Sequence, residues 1–549
     1  MDLVAVAVVP ARDEEAEIVS CLRALGAQEA VPGSYETIVV IDACTDATER
    51  LAARTASEIG LSLTLLPGPG HGAGAARRAG MDAAASRLLA AGAPDGLIAC
   101  TDADSRPAPD WLARQLAHAR AGARVIAGVI ELDPEDAHGL PAAVIRRRER
   151  EAAMRLQGVR RLDPDASHHH FAGASLGITA AAYIEVGGLE PLAALEDAAF
   201  AERLQAHGIP VLRASDVVVQ TSARASGRAR RGLSVDLAVS GWVERRRFAA
   251  EQFTAAAVAA QKHEASVVVV IPTKQCAETI GGVLQRSVAP LTAEGLVDEV
   301  VVIDAGSSDG TAEIAAAAGA HILQQDQVLA THGPALGKGD AMWRAVHETS
   351  GEIVCFIDGD TADPDPRHVL GLLGPLICDR SLAFVKGAYD RPLRAGGTEL
   401  ANEGGRVTEL MARPLLNLHE PLLAGFAQPL AGEFAARREL LEAIPFPVGY
   451  GVEIALLIEA LRACGLDALA ECHLGTRRNR HQPLRSLGEM SYAVLAAVER
   501  RLAARPSPLG GHYLRPWDDC SVVQVPITER PSLRSLAEPN RRRDPVGRD

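Results

Sequence analysis

An internal repeat constrains the fold of this chain more than any other feature of its sequence. Four segments of the first half have counterparts in the second half, in the same order. The pairs are VAVAVVPARDEEAEI and SVVVVIPTKQCAETI, TIVVIDACTDATE and EVVVIDAGSSDGTAE, HGAGAARRAG and ALGKGDAMWRA, and LIACTDADSRPAPDW and IVCFIDGDTADPDPR. Pro10 precedes Asp42 by 32 residues, and Pro272 precedes Asp304 by 32 residues. Chance does not give four ordered matches, so the sequence predicts two copies of one fold.

Each copy has the pattern of an α/β domain. A β-branched run ends in a proline turn, a helical stretch follows, and a second apolar run ends in an aspartate. Strands that alternate with helices predict a parallel sheet with crossover helices. Ligands bind such sheets at the carboxyl ends of the strands, which is where we expect Pro272, Asp304 and Asp358.

The length of 549 residues exceeds what one hydrophobic core organises, so more than one domain is expected. We predict a first domain over residues 1–228 and a second over residues 266–505. Residues 229–265 are rich in alanine and arginine and are predicted to form a helical linker. Residues 506–549 are rich in proline, arginine and glycine, which predicts an irregular tail.

Charge and cysteine usage narrow the class of protein. The chain has 56 basic and 70 acidic residues, a net charge of −14, which disfavours broad nucleic-acid binding. A phosphorylated ligand must then be held by local basic or backbone groups. The nine cysteines lack CxxC spacing and favour reduced thiols. No apolar run is long enough to span a bilayer, and the N-terminus turns acidic too early for a signal peptide. We expect a soluble cytoplasmic protein.

Two aspartates follow an apolar run in CFIDGD, at Asp358 and Asp360. For an isolated Asp-x-Asp, a turn is the commoner explanation, and Gly359 and Pro364 fit one. Side chains two residues apart in an extended segment point the same way, and two carboxylates repel each other unless a cation or proton lies between them. A divalent metal that carries a diphosphate is therefore the alternative, and the neighbouring motifs decide between the two.

The neighbouring motifs resemble known transferases. VVIDAGSSDGT with a downstream Asp-x-Asp resembles the nucleotide-diphospho-sugar transferases of the GT-A fold. Over residues 266–505, GPALGKGDAMWRA, VKGAYDRPL, EGGRVTELMARPLL, QPLAGEFAARRELLEAIPF and GYGVEIALLIEA are similar to glucosyl-3-phosphoglycerate synthases, a retaining family. The resemblance implies tandem GT-A domains. It also implies transfer of glucose from a nucleoside-diphosphate glucose, usually UDP-glucose, to the 2-hydroxyl of 3-phosphoglycerate, with Mg²⁺ or Mn²⁺, by a homodimer.

The resemblance also assigns roles on the donor side. Pro272, Asp304, Lys338 and Asp358 are predicted to bind the nucleotide sugar, and Asp360 to hold the metal that neutralises the leaving diphosphate. A surface lysine in a turn is the alternative for Lys338, and the flanking match makes it the weaker one.

The acceptor is a small trianion, which needs cations and backbone N–H groups. The resemblance places the acceptor on EGGRVTEL and its surroundings, and Glu453 beside the acceptor hydroxyl as an orienting group or base. A glycine-bearing helix start with a surface arginine is the alternative for the octapeptide, and a helix-start carboxylate is the alternative for Glu453. The predicted acceptor-side residues are Gly405, Arg406, Thr408, Glu453, Tyr450 and Arg477.

The chain departs from the family pattern at several positions. Cys276 stands where a glutamate that contacts the nucleoside is expected, and Ala305 replaces a serine. Asn479 stands where the family's metal-binding histidine is expected. His481, two residues later, is predicted to serve as the metal ligand, with a surface-loop histidine as an equal alternative.

The first half resembles the inverting family 2 transferases. Asp42 ends the second strand, Asp102 and Asp104 form TDADS, and FAGASLGITAAAY with the following LEDAAF resembles the acceptor side. The resemblance assigns Asp42 and Asp102 to the nucleotide sugar, Asp104 to the metal, and Asp197 to the role of catalytic base.

Three histidines, residues 168–170, precede that acceptor-side segment. Neighbouring residues of a strand point to opposite faces, so all three cannot bind one metal. We favour a structural role for them, with at most one near the nucleotide.

Three functions remain open from the sequence. The first is a glucosyl-3-phosphoglycerate synthase fused to a second transferase. The second is a transferase with another acceptor, in which the first half does the decisive chemistry. The third is a non-catalytic protein that binds a sugar nucleotide. The pair Asp358 and Asp360 argues against the third function, whereas Cys276 and Asn479 argue for it.

Overall fold

We describe the protein from a computed structural model. The structure describes residues 2–192, 196–224, 232–395, 398–400, 404–477, 483–502, 512–515 and 521–536. The chain divides into two compact units, Met1–Gly241 and Trp242–Asp549.

The first unit is built on a mixed sheet of eight described strands in the order β3-β2-β1-β4-β7-β6-β8-β5. Strands β3, β2, β1 and β4 are parallel, and β7 runs antiparallel to both of its neighbours. The strands are β1 Leu3–Ala11, β2 Ser34–Ile41, β3 Leu63–Pro67, β4 Leu97–Cys100, β5 Ser105–Pro107, β6 Val125–Leu132, β7 Leu176–Thr179 and β8 Val211–Thr221.

The second unit has a sheet of the same design, in the order β12-β11-β10-β13-β17-β14-β19-β9. Strand β17 is again the antiparallel one between two neighbours. The strands of the second unit are β9 Arg247–Ala249, β10 Val267–Thr273, β11 Glu299–Asp304, β12 His321–Gln324, β13 Ile353–Phe356, β14 Phe384–Asp390, β15 Leu393–Ala395, β16 Thr398–Leu400, β17 Phe434–Arg437, β18 Phe446–Pro447, β19 Leu469–Thr476, β20 His512–Arg515, β21 Ser521–Gln524 and β22 Glu529–Arg530.

The two strand orders correspond position by position over seven strands, from β3 and β12 to β8 and β19. The prediction of two copies of one α/β fold is therefore confirmed. The edge strand differs: β5 of the first unit pairs antiparallel with β8, whereas β9 of the second pairs parallel with β19.

Helices connect the strands of both units. In the first unit they are α1 Ile18–Gly26, α2 Thr48–Ile59, α3 Ala73–Ala90, α4 Trp111–Arg120, α5 Pro134–Ala137, α6 Ala142–Arg160, α7 Ala180–Glu185 and α8 Glu196–Ala206, and α9 Leu233–Arg246 contains the boundary. In the second they are α10 Ala255–Lys262, α11 Ala277–Val283, α12 Ala289–Ala293, α13 Thr311–Ala317, α14 Lys338–Glu348, α15 Pro366–Cys378, α16 Arg413–His419, α17 Arg438–Ala443, α18 Val452–Cys464 and α19 Leu487–Leu502.

Each sheet is buried on both faces. The apolar side chains of β1 alternate between two core clusters: Val6 and Val8 face one, and Ala5 and Ala7 face the other. Strand β10 does the same in the second unit. Continuous apolar strands are what two-sided burial of a parallel sheet requires.

Two predicted boundaries differ from the structure. Residues 229–265 do contain helices, but β9 lies among them and pairs with β19, so part of the predicted linker belongs to the second sheet. The predicted irregular tail contains β20, β21 and β22, and β22 pairs with β18. Residues 506–511, 516–520 and 537–549 of the predicted tail lie outside the described part of the chain.

None of the helices in the described part of the chain combines the length and the apolar character that a membrane span requires.

Candidate active sites

Three parallel strands of the second unit bring the predicted donor-side residues together. Strand β10 pairs with β11 so that Thr273 lies opposite Asp304, and β10 pairs with β13 on its other side. Pro272, Asp304 and Asp358 thus lie at the same edge of the sheet, as the sequence predicts. The edge is formed by the carboxyl ends of the strands, where α/β sheets bind ligands.

Asp304 is almost fully buried and shapes the loop that follows it. One carboxylate oxygen accepts from the hydroxyls of Thr273, at 3.1 Å, and Ser307, at 2.6 Å, and the other from the Ser307 N–H at 2.8 Å. These are contacts within the protein, and the nucleoside contact of Asp304 stays a prediction.

A network of alternating charges surrounds Asp358. Lys338, the first residue of α14, donates to Asp358 at 2.6 Å and lies 3.3 Å from a carboxylate oxygen of Glu453. Arg477, just after β19, lies 3.4 Å from Asp358, donates to Thr361 at 2.6 Å and pairs with Glu433. Elements that are far apart in sequence therefore meet at one carboxylate.

Close packing maintains this network. A Cβ on Gly432 would collide with the Lys338 amine and lie 2.8 Å from an Asp358 oxygen, so only glycine leaves room for the ion pair. The Arg477 guanidinium also lies 5.3 Å from the ring centre of Tyr389, a cation–π distance.

The pKa values of Asp358 and Asp360 are shifted in opposite directions. Burial would raise the pKa of Asp358, but Lys338 and Arg477 outweigh it and hold that pKa well below its usual range. The pKa of Asp360 is raised, because the surrounding protein desolvates its carboxyl and because Asp358 lies beside it. Asp358 is thus an ionised carboxylate that two close protein cations neutralise, whereas Asp360 has only the more distant Arg477 within ion-pair reach among the described cations.

Asp360 is exposed at the rim of the site and lies 3.9 Å from Arg477. A divalent cation there would meet an oxygen ligand and relieve the repulsion between two carboxylates, so this position fits Mg²⁺ or Mn²⁺. The predicted metal ligand His481 and its neighbour Asn479 lie outside the described residues.

The predicted acceptor-side residues fall into two groups. Glu453 belongs to the charge network, in the first turn of α18. Gly405 has φ +70°, a left-handed conformation that suits glycine, and precedes the half-buried Arg406 and the buried Thr408. Tyr450 is half-exposed in the loop before α18.

Cys276 is a buried thiol at the N-cap of α11. Its Sγ lies 3.7 Å from where a Cβ on Gly359 would be, so it adjoins the aspartate pair. Burial raises its pKa. The structure thus places the thiol next to the site, without the carboxylate that the family pattern expects there.

Glu433 and Lys386 are two charged residues of this site that the sequence did not predict. Glu433 is fully buried and pairs with Arg477, and Lys386 is fully buried on β14. A lone charged residue in an apolar strand such as FVKGAY is a signal that could have identified Lys386.

The first unit has a related network around Asp102. The buried Arg77 donates to Asp102 at 2.9 Å and to the Gly173 carbonyl at 3.1 Å, and lies 3.6 Å from Glu196. Asp197 accepts from the Gly173 N–H at 3.1 Å. The predicted nucleotide ligand, base and acceptor-side segment of the first unit therefore meet.

Asp42 and Asp104 complete the predicted set of the first unit. Asp42 is buried and accepts from the N–H groups of Gly70, at 2.6 Å, and Gly72, at 3.1 Å. Asp104 accepts from Arg224 at 3.0 Å. Their predicted ligand contacts stay predictions.

Two carboxyls of the first unit titrate near neutrality. Burial, helped by Glu196 and Asp102, raises the pKa of Asp197 to about 6 against the opposing charge of Arg77. Burial and the neighbouring Asp102 raise the pKa of Asp104 to about 7. A carboxylate of that kind suits proton abstraction at neutral pH.

The two networks are variants of one design. Lys338 is the first residue of α14 in the second unit, and Ala73 is the first residue of the corresponding helix α3. Arg77, one turn later on the same helix face, supplies the cation instead. Each cation faces an Asp-x-Asp aspartate and the glutamate of an equivalent helix, Glu196 or Glu453.

Comparison with known proteins decides the family. The profile of glycosyl transferase family 2 matches residues 6–175 and 268–393, once in each unit and over more than half of the chain. The chain belongs to glycosyl transferase family 2. Both units are accordingly GT-A domains, as the sequence predicts.

Named relatives resemble about half of the chain. The glucosyl-3-phosphoglycerate synthase of Mycolicibacterium smegmatis is 43% identical over 287 residues, which are 52% of this chain and 94% of that protein. The crystal structure of mannosyl-3-phosphoglycerate synthase from Rubrobacter xylanophilus is 41% identical, with a TM-score of 0.50, and the match covers 54% of this chain and 98% of that one.

A second similar crystal structure is that of glucosyl-3-phosphoglycerate synthase from Mycobacterium tuberculosis in complex with Mn²⁺, UDP-glucose and phosphoglyceric acid. It is 40% identical with a TM-score of 0.47, and the match covers 51% of this chain and 95% of that one.

Proposed function

We propose that the second unit transfers glucose from UDP-glucose to the 2-hydroxyl of 3-phosphoglycerate and so forms glucosyl-3-phosphoglycerate. The observation that carries the proposal is the charge network of Lys338, Asp358, Arg477 and Glu453 at the carboxyl ends of the strands. Its support from sequence is the 43% identity to a glucosyl-3-phosphoglycerate synthase over 94% of that relative.

On the donor side, Pro272 and Asp304 border the nucleoside, Lys338 approaches the nucleotide, and Asp358 meets the ribose. Asp360 holds Mg²⁺ or Mn²⁺, which when bound stabilises the negative charge of the leaving diphosphate. The contacts of Lys338 and Arg477 with Asp358 keep that carboxylate ionised and fixed in position.

On the acceptor side, Gly405 lets the backbone approach the substrate, Arg406 offers a fork to phosphate or carboxylate, and Thr408 offers a hydroxyl. Tyr450 and Arg477 border this region. Glu453 orients the acceptor hydroxyl, and the 3.3 Å distance to Lys338 keeps its carboxylate beside the donor.

Retention of configuration is part of the proposal. Aligned on the glutamates Glu196 and Glu453, the helices α8 and α18 place Ile454 where the first unit has Asp197. The second unit has no carboxylate at that position, and a direct displacement assisted by a base there is not open to it.

The test is release of UDP from UDP-glucose with Mg²⁺, with and without 3-phosphoglycerate. We expect release to need the acceptor and the metal. Asp360→Ala should lower it at least about 100-fold, since it removes the ligand of a catalytic metal. Asp326→Ala, which removes an exposed carboxylate elsewhere in the second unit, should change it by less than about twofold.

UDP release that is unchanged by Asp360→Ala, or that does not depend on 3-phosphoglycerate, would overturn the proposal. GDP-mannose serves as a parallel donor, because one similar structure is a mannosyl-3-phosphoglycerate synthase. A preference for GDP-mannose would keep the acceptor and replace the proposed sugar.

A second candidate function concerns the first unit, which we infer to be a separate, inverting transferase. Its support is Asp197, a half-buried carboxylate with a pKa of about 6 beside the Arg77 and Asp102 pair. In this role Asp42 and Asp102 bind a nucleotide sugar, Asp104 binds the metal, and Asp197 takes the proton of the acceptor hydroxyl.

The homodimer and the cytoplasmic location that the sequence predicts also remain proposals. Light scattering on the purified full chain measures the oligomeric state directly.

A further inference from the structure

Helix α6 of the first unit has an unusual inward face. It is 19 residues long and contains six arginines and two glutamates, and Val144 is its only buried residue. Residues 144, 148, 151 and 155 recur on one face at helical spacing. A helix that packs on a core normally has an apolar stripe there, but after the first turn this face carries the half-buried Arg148 and the exposed Arg155.

The inward direction of that face is set by its neighbours. Val144 packs in a small apolar cluster with Ala223 and Leu237, which lie after β8 and on α9. One and three turns further along the same face, Arg148 and Arg155 interact electrostatically with His169, His170 and Asp236.

The two arginines on this face lack a direct hydrogen-bond or ion-pair partner among the described residues, although nearby charges are paired. Arg213 pairs with Asp163 at 3.3 Å, and Glu151 pairs with Arg147 at 2.8 Å. Within the part of the chain that the structure describes, neither Arg148 nor Arg155 makes a hydrogen bond or an ion pair. Burial and the neighbouring Arg155 lower the pKa of Arg148, although Asp236 partly offsets them.

The group adjoins the reaction centre of the first unit. The Ile130 N–H of β6 donates to His170 at 3.2 Å. Three residues beyond His170, the N–H of Gly173 donates to Asp197 and its carbonyl accepts from Arg77. One short segment thus connects the cationic face of α6 to the carboxylate that is suited to act as a base.

Topology indicates what this face contacts. Helix α6 lies between β6 and β7, and in the second unit the segment Thr408–His419 lies between the equivalent strands β14 and β17. That segment follows Gly405 and Arg406 of the proposed acceptor site, so this step of the argument rests on the proposed function of the second unit. The cations on α6 are independent of it.

We propose that the inward face of α6, through Arg148 and Arg155, binds the acceptor of the first unit, and that this acceptor carries a phosphate or a carboxylate. Two arginine forks fit such an anion, and its charge relieves the repulsion between them. The product of the second unit is an anion of this class, so the first unit is suited to add a further sugar to it.

The transfer balances without an additional reactant. The bond between the sugar C1 and the diphosphate of a nucleotide sugar breaks, and a bond forms between C1 and an acceptor hydroxyl oxygen. The hydroxyl proton passes to Asp197, and the nucleoside diphosphate leaves with the bonding electrons.

The test is calorimetric titration of the full chain with three glycosides: glucosyl-3-phosphoglycerate, glucosylglycerate and the neutral glucosylglycerol. The first ligand carries a phosphate and a carboxylate, the second a carboxylate alone, and the third neither, so their affinities distinguish the recognition of the two groups. Because the ligands are supplied, the titration does not need an active second unit. The chain with Arg406→Ala weakens the proposed acceptor site of the second unit, so that the remaining site is measured alone.

In that background, Arg148→Ala/Arg155→Ala should lower the affinity for the anionic glycosides at least about tenfold. The control is Arg146→Ala/Arg150→Ala, which removes the same charge from exposed positions on the opposite face. It should change the affinity by less than about twofold. In the unmodified chain, two binding sites should be counted. Arg406→Ala should remove one of them, and Arg148→Ala/Arg155→Ala should remove the other.

The proposal is overturned if both pairs of substitutions have equal effects, if glucosylglycerol binds as well as the anions, or if one site is counted in every variant. UDP release by the second unit, measured in the Arg148→Ala/Arg155→Ala chain, should stay unchanged. That measurement separates a failure of this proposal from a failure of the proposed synthase activity, and a thermal midpoint of the first unit equal to that of the Arg146→Ala/Arg150→Ala control shows that the variant is folded.

Discussion

Lys386 has the least favourable environment of the charged residues around the second site. It is fully buried on β14, and its amine has no hydrogen-bond partner among the described residues. The amine lies 5.9 and 5.5 Å from the ring centres of Phe384 and Phe434. Burial lowers its pKa to about 8, and Glu453 offsets only part of this effect. Strongly shifted groups of this kind collect at functional sites.

We predict that Lys386→Met stabilises the second unit at neutral pH. The pKa of Lys386 is about 8 in the folded chain, and 10.5 is the usual value. Below pH 8 the buried ammonium therefore costs about 3 kcal/mol. Between pH 8 and 10.5 the unfolded chain binds a proton that the folded chain does not, so this cost disappears as the pH rises.

Calorimetric unfolding at pH 7 and pH 9.5 checks this prediction. The gain in the thermal midpoint of Lys386→Met should be larger at pH 7 than at pH 9.5. Lys274→Met, at an exposed lysine of the same unit, should have little effect at either pH. An equal gain at both pH values, or a lower midpoint at pH 7, would contradict the assignment of a buried, unpaired ammonium.

At the scale of elements, the C-terminal segment supports the helix that carries Lys338. Asp340, two residues into α14, is fully buried. Its carboxylate accepts hydrogen bonds from Arg344 at 3.0 Å and from Arg530 of β22 at 2.8 and 2.9 Å. The Trp343 ring N–H donates to the Pro531 carbonyl at 2.9 Å. Residues 529–531 therefore help to hold α14, and with it the lysine that neutralises Asp358.

We predict that Arg530→Met lowers both the stability and the activity of the second unit. It leaves the buried Asp340 with Arg344 as its remaining arginine, which should cost about 2–3 kcal/mol and lower the thermal midpoint by about 5 °C or more. UDP release should fall because the start of α14 loosens. Arg534→Met is the matched control, since that arginine makes one exposed bond, to the Glu439 carbonyl. Equal midpoints for the two variants would refute this role of β22.

The sequence predicted elements best where the signal is local. The repeat and its strand ends placed Asp304 and Asp358 at one edge of a parallel sheet, and the structure agrees. The sequence did not reveal that Arg477 pairs with Glu433, or that β22 reaches α14. Those contacts join residues 44 and 190 positions apart, and their local sequence resembles an ordinary loop or tail.

At the scale of the molecule, the two units are copies that have diverged in charge. Arg77 replaces the function of Lys338 from one turn later, and Asp197 has Ile454 as its counterpart. The same strand order thus supports two different arrangements of proton acceptors. A chain of this kind is suited to two transfers of opposite stereochemistry, one in each unit.

The last prediction separates the two units by pH. In a chain with Asp360→Ala, we expect the first unit to retain transfer from a nucleotide sugar to glucosyl-3-phosphoglycerate, measured as nucleotide release over a panel of donors. The pKa of Asp197 is raised to about 6 by burial, so its carboxyl binds a proton below that pH. Because a base must be ionised, the rate should fall about tenfold for each pH unit below 6.

Asp197→Asn should abolish this activity and leave UDP release by the second unit unchanged in an otherwise unmodified chain. The asparagine has a similar shape but cannot take a proton, so the two activities are separated by charge alone. A rate that stays flat down to pH 5 would remove Asp197 from the role of base. A loss of both activities would instead show that the two sites depend on each other.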